Sequence, residues 1–137
     1  MARSPQSKSE AVIQIENEKV STVNPFPTSI IDKEVFSNYN EITAASSVES
    51  DVVSYTVPAE KTARVWRIHA SGEASARFRL KLNGTIIASG RISWTDRNWQ
   101  PTFGDIEGTA GDIFKITVIH TESSSKDYWA TISGIIF

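Results

Sequence analysis

The chain has 137 residues and a mass of 15.1 kDa, which fits one domain and leaves no room for a two-domain enzyme. With 39% hydrophobic and 22% charged residues, seven Gly and five Pro, it lies far from collagen-like or wholly disordered compositions, and no apolar run approaches the roughly 18 to 20 residues of a membrane span. Zero Cys excludes disulfides, thiolate metal sites and cysteine nucleophiles, and the net charge of −2 divides unevenly along the chain. Residues 58–100 hold eight basic and three acidic side chains, a net +5. The flanking segments 1–57 and 101–137 carry −4 and −3.

The opening MARSPQSKSE has neither an apolar core nor a cleavage site, so the chain reads as soluble and not exported through a signal peptide. It offers almost nothing to bury and reads as a flexible arm. Residues 11–45 are polar, and Pro25 and Pro27 around Phe26 oppose helix. A short helical turn over Ile31–Phe36, capped by Asp32, is the one helical element the pattern allows. Residues 1–45 are therefore expected to be a polar N-terminal arm, and 46–137 the folded domain.

From Ser46 onward the pattern is β. Val53, Tyr55 and Val57 alternate with polar residues, VPAEKT makes a turn, and Ala63–Ala70 forms a second strand with Trp66 in its core face. Arg77-Phe78-Arg79-Leu80-Lys81-Leu82 alternates strictly and is followed by Asn83-Gly84, the dipeptide of a type I′ hairpin. A two-residue loop pairs Leu82 with Thr85 and Leu80 with Ile87, putting Phe78, Leu80 and Ile87 inside. Ile92 and Trp94 fall on the opposite parity from Ile87, so a bulge is expected at Ser89-Gly90. Residues 94–111 form the longest surface loop, Ile113–Ile119 a strand buried on both faces, and Tyr128–Phe137 the last strand, with Trp129 in the core. About eight short strands with recurrent turns predict an all-β fold: an antiparallel β-sandwich, immunoglobulin-like or jelly roll, preceded by an extended arm.

Catalytic patterns are absent. His69 and His120 lie on predicted strands without a second histidine at ligand spacing, and no GxSxG, HExxH, phosphate-loop or GxGxxG pattern occurs. Asp105, Glu107 and Asp112 lack calcium-loop spacing and read as solvated acids. The sequon Asn83-Gly84-Thr85 reads as turn chemistry. The residues predict neither an enzyme nor a cofactor. Two surfaces remain as binding candidates. Trp94, Asp96, Arg97 and Trp99 in one loop have the composition of a carbohydrate platform, with rings for apolar sugar faces and charged groups for hydroxyls. Arg77, Arg79, Lys81 and Arg91 form a basic stripe that lacks the interleaved aromatics of a nucleic-acid site.

Roughly 80 of the 137 residues, from about Val57 to Gly134, carry an ordered set of motifs: VPAEKTARVWRIHASGEASARFRLKLNG, the short strand Ile86 to Arg91, and TAGDIFKITVIH. This order of a V-P turn, a strand ending N-G and a later A-G-D resembles a family of small β-sandwich virion proteins of tailed bacteriophages. The resemblance implies an immunoglobulin-like or jelly-roll module serving as a non-catalytic structural subunit of a tail, collar or baseplate. Such a subunit assembles as a homo-oligomeric ring with other virion tail proteins in the host cytoplasm. A surface glycan or receptor is the ligand under the alternative Trp-loop reading; neither reading involves a membrane or nucleic acid.

Overall fold

A computed structural model describes residues 33–137, which form nine strands and no helix: β1 Glu34–Ala44, β2 Ser50–Thr56, β3 Thr62–Gly72, β4 Ala76–Leu82, β5 Thr85–Ile92, β6 Asn98–Trp99, β7 Ile106–Thr109, β8 Ile113–Ile119 and β9 Lys126–Ile136. Two antiparallel sheets face each other as a β-sandwich. In one, the order is β1-β9-β3, with β6 and β7 both pairing with the far side of β3; in the other it is β2-β8-β4-β5. β1 lies beside β2 along one lateral side of the sandwich, and β6 beside β5 along the other.

The sandwich begins earlier than the sequence pattern suggests. Residues 34–45, expected in the arm, include the eleven-residue edge strand β1, paired along its whole length with β9. The helical turn expected over Ile31–Phe36 is therefore replaced by strand from Glu34; its first residues, like the rest of the expected arm, lie outside the described residues. The polar reading of β1 has a physical origin. Asn38 and Asn40 occupy inward-facing positions, where apolar residues would normally mark a strand. Their side-chain amides instead donate to the β2 carbonyls of Ser54 (2.6 Å) and Val52 (2.9 Å), joining two edge strands of opposite sheets. Beside them Phe36 stacks on Tyr55, ring centroids 4.0 Å apart.

The hairpin forms at Asn83-Gly84 as expected, both residues having positive φ (52° and 87°) and Leu82 pairing with Thr85. Asn83 does more than turn the chain. Its Oδ1 accepts from the Ile113 amide (2.9 Å) and its Nδ2 donates to Asp112 (2.9 Å), so the amide of the sequon is engaged in holding the tip onto β8. The register then departs from expectation. Lys81 pairs with Ile86 but Leu80 with Ala88, so the bulge falls at Ile87 and not at Ser89-Gly90. Ile87 is consequently outside the core, 39% exposed, while Ala88, Gly90 and Ile92 take the inward positions beyond it.

The inward face of β4 supplies the centre of the core. Phe78 and Leu80 are fully buried, packed with Phe114, Ile116 and Val118 of β8 and with Val65, Ile68, Tyr128 and Ile132 of the opposing sheet. Phe78 stacks parallel to Trp99 (5.9 Å, 7°) and meets Tyr128 edge-on (5.9 Å, 77°). Residue 90, opposite Phe78, is glycine because the Trp99 indole occupies the space a Cβ would need. Tyr128, its phenol pushed up to about 12 by burial and by Glu122 and Glu73, is a neutral packing ring at every physiological pH.

Truncating Leu80 to alanine is expected to cost about 2 to 5 kcal/mol, whereas Ile87→Ala at the bulge costs less than about 1 kcal/mol. Urea denaturation of the two variants checks the displaced register, because the Leu80–Ile87 pairing expected from the hairpin pattern requires similar losses from both.

Candidate functional site

The expected Trp platform does not assemble. Trp99, inward on β6, is 7% exposed and belongs to the core, whereas Trp94 in the preceding loop is 55% exposed. Only Trp94 and Arg97 remain together, the guanidinium 5.1 Å from the indole centroid. Asp96 serves the loop itself: its carboxylate accepts from the Asn98 amide (3.3 Å) and its carbonyl from the Ser93 amide (2.8 Å). The other two tryptophans also exchange places with expectation. Trp66 is the extra residue of a bulge against β9 and is 42% exposed, and Trp129 is half-buried on the outer face, not in the core.

The basic stripe is present on the outer face of the second sheet, but half of it is neutralised. Glu49, in the turn before β2, meets Lys81 at 2.9 Å and Arg79 at 3.4 Å and accepts from the Thr117 hydroxyl at 2.6 Å. The Thr117 hydrogen bond, followed by the Lys81 ammonium, holds the Glu49 carboxyl below the usual carboxylate range. Lys115 similarly reaches Asp51 at 3.1 Å. Arg77 and Arg91 differ. They sit directly opposite each other across β4 and β5, and neither makes an ion pair with a described residue.

The histidines and acids take separate roles. His120 is buried, its Nε2 donating to the Ala44 carbonyl (2.8 Å) and its Nδ1 accepting from the Glu122 amide (3.1 Å), which ties the β8–β9 turn to the end of β1. Asp112 accepts from Asn83 and from the Thr109 amide (2.8 Å), contacts that hold its carboxyl below the ordinary range. Among the described residues no three His, Cys, Asp or Glu side chains converge as metal ligands.

A surface the sequence reading missed is the outer face of the β1-β9-β3 sheet. Register places Tyr39, Thr131 and His69 in one cross-strand row and Ser37, Ser133 and Arg67 in the next. Continuing the β6 register past Trp99 sets Gln100 beside His69. Ser37, Arg67, His69, Gln100, Thr131 and Ser133 line a shared groove of about 350 Å³. His69 Nε2 donates to Asn98 Oδ1 (2.8 Å), fixing the ring, and the Ser37 and Ser133 hydroxyls lie 3.2 Å apart. Arg67 makes no ion pair with a described residue. Period-two alternation places these residues outward, but their gathering depends on the pairing of strands about 30 to 100 residues apart.

No family model matches the sequence, and no curated protein does. Among solved structures, the chain is similar to the CBM36-1 domain of a multidomain xylanase from the hindgut metagenome of Trinervitermes trinervoides, with a TM-score of 0.42 and 15% identity over 77% of this chain and 95% of that one. The likeness is too distant to carry residue roles from one chain to the other.

Two charge predictions follow from the second sheet. Arg91→Glu is expected to raise stability by about 0.5 to 1 kcal/mol, by exchanging a like-charge cross-strand pair for an opposite one. Added salt should shrink this gain in chemical denaturation. Glu49→Gln is expected to lower stability by about 0.5 kcal/mol at neutral pH, the scale of a partly exposed ion pair. Because folding depresses the Glu49 pKa, this contribution is present above its ordinary value of 4.5 and disappears as pH falls through the lower folded value. Denaturation curves of the two proteins should therefore converge in acid.

Proposed function

We propose that this chain is a non-enzymatic structural subunit that assembles head-to-tail into a homo-oligomeric ring, as a component of the tail, collar or baseplate of a tailed bacteriophage. The observation that carries the assembly is the placement of exposed apolar side chains at opposite lateral edges of the sandwich. Val35 on edge strand β1 is 74% exposed, and Ile86 and Ile87 on edge strand β5 are 50% and 39% exposed. β1 has no lysine or proline, two of the residues that commonly protect a sheet edge. Two different apolar edges on one subunit suit a heterologous contact, in which one edge meets the other on the next copy and a closed rotation gives a ring. The phage assignment is supported by the ordered turn motifs of residues 57–134, whose resemblance to small virion sandwiches implies the same kind of building block.

Light scattering tests the heterologous arrangement with two surface variants. The unmodified chain is expected to form a discrete multimer, and Val35→Asp and Ile86→Asp alone are each expected to be monomeric. Mixed in equal amounts, they should form a heterodimer, since one variant retains the β5 edge and the other the β1 edge. A monomeric unmodified chain, or a mixture that stays monomeric, refutes the head-to-tail contact. Mass spectrometry of purified virions tests the setting, and absence of the chain there removes the phage assignment.

A further inference from the structure

Beyond subunit assembly, we propose that the outer groove of the β1-β9-β3 sheet is a binding site for a saccharide bearing a carboxylate. The groove combines three kinds of recognition chemistry on a stiff support. The row Tyr39, Thr131, His69, Gln100 crosses four adjoining backbone segments, about 14 Å at roughly 4.8 Å per strand, a span suited to a short oligosaccharide. Thr131 and the facing Ser37 and Ser133 present hydroxyls that both donate and accept, matching the dual character of sugar hydroxyls. The His69 ring is held by Asn98 through Nε2, which leaves Nδ1 as a directed partner for the ligand.

Arg67 selects the charge. Its guanidinium is exposed at the groove and makes no ion pair with a described residue, so its planar fork is available for bidentate contact with a carboxylate. Arg67 is the one Lys or Arg side chain among the groove's lining residues, which suits a singly charged group better than a dianionic phosphate. A single cation is also poor neutralisation for a nucleic-acid backbone. Tyr39, 58% exposed at the β1 end of the row, supplies a ring for the apolar face of a sugar.

Isothermal titration of the full chain with the trimer of galacturonic acid, and with its fully methyl-esterified form, tests the site. The acidic trimer is expected to bind, esterification and Arg67→Gln each to weaken binding at least tenfold, and Thr131→Val to weaken it without moving the melting temperature. Arg77→Gln, on the opposite sheet, is expected to leave binding unchanged. The proposal is overturned if the acidic trimer fails to bind at millimolar concentration, or if the esterified trimer binds equally well. It is also overturned if binding survives Arg67→Gln and is lost in Arg77→Gln, which would place the anion site on the basic face.

Discussion

The Trp99 indole reaches the middle of the sandwich because residue 90 has no side chain, and much of the remaining architecture follows from that contact. Gly90 on the edge strand β5 leaves an opening above Phe78; the indole fills it, stacks on the Phe78 ring and brings the two-residue strand β6 against β3. Alternation then does the rest. With Trp99 held inward, Asn98 and Gln100 must point outward, where one fixes His69 and the other completes the row on the outer face. A single buried contact therefore sets both the closure of the core and the layout of the surface opposite it.

The sequence was most readable where local rules act alone. The strict alternation of Arg77–Leu82 and the Asn83-Gly84 dipeptide specify a hairpin and its first pair, and both are as expected. Pairing beyond the tip was not readable, because the bulge at Ile87 resolves a competition between local alternation and the need for Gly90 to face Trp99. The tryptophans show the same limit. An indole suits a core or a half-covered surface about equally, and which of Trp66, Trp94, Trp99 and Trp129 goes inside depends on register between distant strands. β1 escaped detection because inward Asn38 and Asn40 replace apolar residues, and their partners are carbonyls on another strand. The basic stripe was visible as a face, whereas its neutralisation by Glu49 joins residues 30 positions apart and leaves no local trace.

The ordered turn motifs of residues 57–134 acquire a structural meaning. VPAEKT, the hairpin tip and TAGD are separate in sequence but interlocked at one end of the fold. The Val57 amide donates to the Asp112 carbonyl (2.9 Å) and the Gly111 amide to the Val57 carbonyl (3.0 Å), while Asn83 bridges Asp112 and Ile113. Positive φ at Glu60, Asn83, Gly84 and Gly111 supplies the tight geometry. These residues act as a clasp between strands and close this end of the sandwich.

Strand β9 is the last strand in sequence, yet it occupies an interior position between β1 and β3, and Phe137 just beyond it exchanges two backbone hydrogen bonds with Thr62. The strands of the opposing sheet, by contrast, have all been synthesised once Ile119 is made. During translation the β2-β8-β4-β5 sheet can therefore form while its partner still lacks the strand that joins β1 to β3, leaving the inward side chains Phe78, Leu80, Phe114 and Ile116 only partly covered. Such a half-built sandwich is the stage most exposed to intermolecular association. The insertion of β9 between β1 and β3 is the step that ends this vulnerability, giving the slow, non-local pairing of the chain a decisive place in its biogenesis.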